Sequence, residues 1–151
     1  MPTHYKGTPD EVLALNTLIK LNRSVNSLQS HLIPLIHKDF GITESQFAVL
    51  EALYHLGPLS QGQLCQKILR SGSNVTTVVD NLEKNTLVRR DRDEEDRRVQ
   101  IVTLTDQGRA VIAEAFPAHV ARVAEVLSVL TQAEQKELGR ICLKLGKSVP
   151  A

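Results

Sequence analysis

Hydrophobic residues recur along most of this chain at helical spacing, and in one stretch they change to alternation. Val12, Leu15, Ile19, Val25, Leu28, Leu32 and Leu35 trace one side of a helix over residues 9–38. Phe47, Leu50 and Leu53 or Tyr54 do the same for a second helix over 44–56, and Leu64 and Ile68 for a short third over 61–68. Val75, Val78, Val79 and Leu82 mark a fourth, running from about Ser71 to Lys84. A fifth begins after Thr105 with Val111, Ile112, Phe116, Val120, Val123, Leu127 and Leu130. A sixth over 132–147 carries Leu138, Ile141, Cys142 and Leu145. Between the fourth and fifth lie two β-prone runs, Leu87–Arg90 and Val99–Leu104, joined by a loop of Asp, Glu and Arg.

The helix starts are written into the sequence. Ser or Thr followed three residues later by Glu or Gln, the reciprocal capping pattern, occurs at Thr8/Glu11, Thr43/Gln46, Ser60/Gln63 and Thr131/Glu134. Pro9 takes the first helical position, where a missing N–H costs nothing. Pro34 and Pro117 fall inside helices, predicting a kink or break at the first and a kink at the second. Gly41 and Gly57-Pro58 mark stops. The predicted order is ααααββαα, a mainly α chain with a small β-hairpin wing. A helix pair followed by a charged hairpin is the layout of a winged helix-turn-helix, which reads DNA.

Composition narrows the choices. At 151 residues and 42% hydrophobic content the chain is one subunit with a core, and no apolar run is long enough to span a bilayer. The start, Met1-Pro2-Thr3-His4-Tyr5-Lys6, lacks the basic-then-apolar pattern of a signal peptide, so the cytoplasm is the expected location. Cys65 and Cys142 form no CxxC pair, against a disulfide scaffold or zinc knuckle. Both are expected to be small core residues rather than redox sensors. A net charge of +1 makes the placement of cations matter more than their sum. Aromatic residues at 3% leave few platforms for stacking single-stranded bases.

In a helix-turn-helix the second helix presents its N-terminal residues to base edges. Here that end reads Ser71-Gly72-Ser73-Asn74-Val75-Thr76-Thr77. Asn74 suits adenine, and threonine methyls suit thymine. By itself the cluster also reads as a helix cap and a solvated face, and the hairpin decides between the two. Arg89, Arg90, Arg92, Arg97 and Arg98 are all Arg and never Lys, which favours forked phosphate contacts or entry into a narrow minor groove. Asp91, Asp93, Glu94, Glu95 and Asp96 nearly cancel their charge. The wing is therefore a positioned probe more than a general phosphate magnet.

At this point the chain resembles the MarR-type regulators (multiple antibiotic resistance regulators). The resemblance covers nearly all of it. The motifs are Asn74 to Lys84, then Leu87-Val88, then Asp96-Arg97-Arg98, leading through the strand to Leu104-Thr105-Asp106-Gln107-Gly108. It implies a winged-helix homodimer on a pseudo-palindromic double-stranded operator, usually a repressor, often released by a small aromatic or phenolic compound or an oxidant. Residues 43–104 would form the DNA-reading lobe, and 9–38 with 106–148 the dimerisation helices. The exposed stripes of those helices could also pack only on each other within one chain, but a seam between two subunits is the preferred reading.

The resemblance further implies Arg98 as the minor-groove arginine, with Asp80 as the carboxylate that orients it. Arg90, Arg92 and Arg97 would contact phosphate around it. Ser71, Ser73, Asn74, Thr76 and Thr77 match the groove-facing helix start, and Ser60 and Gln61 the start of the preceding helix. Three departures stand out. Thr77 and Asn81 occupy positions where the family often has a basic residue. Thr86 replaces the usual glycine after the recognition helix, so Asn85 is expected to supply the left-handed cap.

The family's effector site, between the dimer helices and the reading lobe, would be lined by Arg23, Asn26, Ser27, Ser30, Phe47 and His55. No cofactor or metal is expected, because His31 and His37 fall on different helix faces and His4, His55 and His119 lack neighbouring ligands. No nucleophile, base and orienting group occur together, which argues against an enzyme. Two alternatives remain: a winged-helix protein–protein adaptor that does not bind DNA, and a DNA regulator that ignores effectors.

Overall fold

The computed structural model describes residues 2–68 and 72–150, and of Gly72 and Ser73 the backbone alone. Six helices and three short strands follow the order α1 Pro9–Phe40, α2 Glu44–Leu56, β1 Leu59–Ser60, α3 Gln61–Ile68, α4 Gly72–Lys84, β2 Val88–Arg92, β3 Gln100–Leu104, α5 Asp106–Leu127 and α6 Gln132–Ser148. The capping patterns form as spaced. Thr8, Thr43 and Thr131 each accept from the backbone N–H three residues on, and the Glu or Gln there answers the cap's own N–H. Ser60 and Gln63 do likewise, at 3.1 and 2.9 Å. Neither internal proline breaks its helix: α1 runs through Pro34 and α5 through Pro117. A proline removes one hydrogen bond, and the long helical runs on either side retain theirs.

The alternating run became a sheet of three strands rather than two. β3 is central, with β1 and β2 antiparallel on either side. Leu59 pairs with Val102 and Ser60 with Ile101, which fastens the entry of α3 to the wing. On the other edge Val88 faces Leu104, Arg90 faces Val102 and Arg92 faces Gln100. A two-residue strand is too short to show a period, so β1 left no signal in the sequence.

The core gathers Phe47, Val49, Leu50 and Leu53 of α2 with Leu64, Val75, Val79, Leu82, Val88 and Val102, all buried. Ile36 from the end of α1 and Ile112 and Ala115 from the start of α5 close it. The predicted stripes of the reading lobe are thus its interior. The outer helices differ. Val25 on α1 and Val120 on α5 are exposed, and α6 has no buried residue at all. Leu138, Ile141 and Leu145 are about half exposed, and Cys142 lies exposed beside them rather than in a core. α1 and α5 do pack on each other, while the apolar positions named here stay uncovered within the protomer. Cys65, by contrast, packs against the core.

The joint between α4 and the wing corrects one expectation. Thr86 itself, not Asn85, adopts the left-handed conformation, with φ at 62°. Its N–H donates to the Glu83 carbonyl at 2.9 Å and that of Leu87 to the Leu82 carbonyl at 2.9 Å, the paired bonds of a Schellman cap. The Thr86 carbonyl accepts from Thr105 Oγ1 at 2.6 Å, and its own hydroxyl lies 2.7 Å from Gln107 Oε1. Those bonds tie the end of α4 to the start of α5. Gly108 completes the joint, since a Cβ there would stand 1.9 Å from the Leu87 carbonyl oxygen.

Candidate nucleic-acid interface

Strand alternation decides which wing arginines are free. On β2, Val88 turns inward and is buried, so Arg90 two residues on turns the same way, toward α4. Arg89 points out and pairs with Asp91, 3.1 Å away, with both side chains 65% exposed. Such a pair contributes little. Arg90 is 21% exposed and surrounded by acceptors. Its Nη2 lies 3.0 Å from Glu83 Oε1 and 2.6 Å from Asp80 Oδ1, and its Nη1 donates to Gln61 Oε1 at 3.3 Å. The Arg90 backbone N–H donates to Glu83 Oε2 at 3.0 Å. The hydrogen bond from Arg90 holds the Glu83 carboxyl below the usual carboxylate range, and Glu83 in turn raises Arg90.

Asp80 therefore orients a wing arginine, but it is Arg90 and not Arg98. Arg98 finds its partner nearer by. Its Nε and Nη2 form a fork with the two oxygens of Asp96, at 3.0 and 3.1 Å, and its backbone N–H bonds the same carboxylate at 3.1 Å. That fork lowers Asp96 and raises Arg98. The Arg98 side chain remains 90% exposed at the wing. Arg92 reaches the Arg97 carbonyl at 3.5 Å, and both side chains are exposed. Sequence reasoning missed Glu83 and Asp96. Their signals were present: Glu83 lies one helical turn after Asp80, and Asp96 opens the Asp-Arg-Arg triplet.

The helix-turn-helix residues meet the wing in one place. Ser60, Gln61, Gly62, Thr76, Arg90, Arg98, Val99 and Gln100 line a single cleft of about 550 Å³. Gln61 bridges it, accepting from Arg90 and donating from Nε2 to Thr76 Oγ1 at 3.2 Å. Asn74, Thr76 and Thr77 are exposed along the first turns of α4. Ser71 and the side chain of Ser73 lie outside the described residues.

The six residues expected to line an effector pocket do not converge in the protomer. Arg23 lines a recess with Pro2, Asn16 and Lys20, while Asn26 and Ser30 line another with Gln29, Ile33 and Pro34. Ser27 is exposed on α1. Phe47 is a core residue, stacked on Phe116 at 6.4 Å and edge-on to His119 at 5.0 Å. His55 also meets Phe116, edge-on at 4.5 Å. The helical spacing of α1 turns its polar residues to solvent, away from the α2–α5 contact that holds Phe47.

Comparison with known proteins agrees with this architecture. A sequence model of the MarR family matches residues 42–99. The HTH-type transcriptional regulator MhqR of Bacillus subtilis (strain 168) is 35% identical over 133 residues, covering 88% of this chain and 91% of that protein. Among solved structures, Sco3205, a MarR family transcriptional regulator from Streptomyces coelicolor in complex with DNA, superposes with a TM-score of 0.84. It is 28% identical, over 97% of this chain and 92% of its own. A MepR-like protein complexed with pseudoligands superposes with a TM-score of 0.67 at 31% identity, over 85% of this chain and 91% of its own. No helix among the described residues is long and apolar enough to cross a membrane. By the extent of these likenesses, the chain belongs to the MarR family of transcriptional regulators.

Proposed function

We propose that the chain acts as a homodimeric repressor that binds a pseudo-palindromic double-stranded operator in the cytoplasm and leaves it on binding a small aromatic acid or phenol. The observation that carries the reading is the shared cleft: the start of α3, the recognition helix α4 and the wing arginine Arg98 face one volume. A duplex reader needs these three together, for phosphate, major-groove and minor-groove contact. The DNA-bound relative Sco3205 supports the same use of the fold.

Dimerisation rests on the exposed apolar positions of α1, α5 and α6, which a second copy would cover. The effector reading moves to the α2–α5 contact, where the rings of Phe47, Phe116, His119 and His55 cluster. His119 Nδ1, beside Phe47, is buried without a hydrogen-bond partner among the described residues, as is Nη1 of Arg122, whose Nη2 pairs with Asp39 of α1. An unmet donor or acceptor beside aromatic rings suits an aromatic ligand with a polar group.

The test is selection of bound duplexes from a random pool, followed by titration of the winner across salt concentrations. Binding that weakens steeply with salt and prefers the selected duplex supports the reading. Equal affinity for selected and random duplexes would favour a protein–protein adaptor, a reading to which the internal pairing of Arg90 and Arg98 with acids lends some weight. Release of the duplex by benzoate or a phenol then separates effector control from its absence.

A further inference from the structure

Arg90 sits among DNA-facing residues, yet its donors are committed elsewhere. Nη2 serves both Glu83 and Asp80, and Nη1 serves Gln61. Two carboxylates around one guanidinium leave a net negative charge, which repels an approaching phosphate. Glu83 also holds the strand itself, through the Arg90 N–H. Gln61 is fixed at both ends of its amide, with oxygen toward Arg90 and nitrogen toward Thr76. One guanidinium thus joins the first residue of α3, two positions on α4 and the edge strand of the wing. From β2 the constraint passes through the ladder, Arg90 opposite Val102 and Arg92 opposite Gln100, to the strand that carries Arg98 at its entry.

We propose that Arg90 is a positioning residue that touches no phosphate: through Glu83, Asp80 and Gln61 it sets the separation between the recognition helix and the wing-tip Arg98. A protein that engages two grooves at once depends on that separation, because recognition groups must be held to within about 0.5 Å of their productive geometry. The inference rests on the DNA-binding reading above and gives Arg90 a different role from its neighbours Arg92 and Arg97.

Glu83→Gln is the decisive variant because the two roles predict opposite signs. It is close in shape and removes the charge that competes for Arg90. The probes are the duplex selected by the wild-type protein and a random duplex of equal length. If Arg90 positions, the ratio of selected to random affinity falls about tenfold, as expected for loss of a charge-assisted bond, and the salt slope stays at the wild-type value. If Arg90 is a phosphate contact held in check, the variant binds both duplexes more tightly and the slope steepens by about 0.9 for each protomer bound, about 1.8 for a dimer. That result overturns the proposal.

Arg90→Gln gives a second reading: an unchanged slope supports positioning, and a slope shallower by about 0.9 per protomer, about 1.8 for a dimer, overturns it. Gln61→Met tests the second arm, whose role is lost if the affinity ratio equals that of the wild type. Thermal melting of each variant separates misfolding from misplacement, and Glu83→Gln alone carries the test if Arg90→Gln fails to fold. Should the wild-type protein itself prefer no duplex, the DNA reading fails first and this inference falls with it.

Discussion

At the scale of single residues, two arginines of the same wing have different surroundings and should respond differently to mutation. Arg98 is 90% exposed, and its Asp96 partner is a neighbour on the same loop, so its removal leaves the fold intact. Arg98→Ala should weaken binding to a selected duplex by more than about 1 kcal/mol while the melting temperature stays put. Equal affinity in a fluorescence titration would remove Arg98 from the minor groove.

Thr86 offers a stability test. A β-branched residue at positive φ costs about 1–2 kcal/mol in strain, part of which a glycine recovers against its greater freedom in the unfolded chain. Thr86→Gly also removes the hydroxyl bonded to Gln107, worth about 1 kcal/mol. The two changes should nearly offset, and stability in urea unfolding should move by less than about 1 kcal/mol. A larger loss would show that the Gln107 bond outweighs the strain. Gly108→Ala should lose several kcal/mol, on the order of a severe overpacking change, because the added carbon meets backbone and not a flexible side chain. The exchange of Gly for Thr after the recognition helix was visible in the sequence. Which residue would absorb the left-handed turn was not, because that depends on where the helix places its last bonds.

At the scale of elements, the wing is held to α4 by an ion-paired strut, and that strut responds to acid. The Glu83 carboxyl titrates below its ordinary 4.5 in the folded protein. Its contribution is therefore full above pH 4.5 and is lost as pH falls through the lower, folded value. The stability difference between the wild type and Glu83→Gln should shrink below pH 4.5 in denaturant titrations. A constant difference would mean that the pair contributes nothing. Both carboxylates of the strut are partly exposed, so the effect will be modest.

Helix boundaries were largely legible, since caps and period agree at α2, α3 and α6. The inward turn of Arg90 was legible in principle from the alternation with Val88. It was obscured because five arginines in one hairpin look alike until a strand register assigns them faces. The effector pocket was the least legible part. Its candidates were carried over by position, four on α1 and Phe47 and His55 on α2, and which of them share a face depends on packing that no local pattern encodes.

At the scale of the whole molecule, the interior lies in the reading lobe, while the outer helices leave apolar faces uncovered. On α6, Leu138, Ile141 and Leu145 share one face and are 46%, 47% and 50% exposed. Ile141→Glu should then leave the protomer folded and shift sedimentation equilibrium from dimer toward monomer at micromolar concentration. A dimer of unchanged affinity would place the seam elsewhere. The order of elements and the wing were readable from sequence, but that α6 would bury none of its residues within the protomer was not, because an apolar stripe does not say what covers it.

The root of α5 carries a mechanical consequence. With Gly108 set against the backbone of Leu87, and Thr105 and Gln107 bonded to Thr86, there is no slack between the long outer helix and the end of the recognition helix. The two act as handle and jaw of one calliper. In the dimer proposed above, a turn at the root of α5 would carry the end of α4 with it, and the gap between two jaws would be adjusted from the handles.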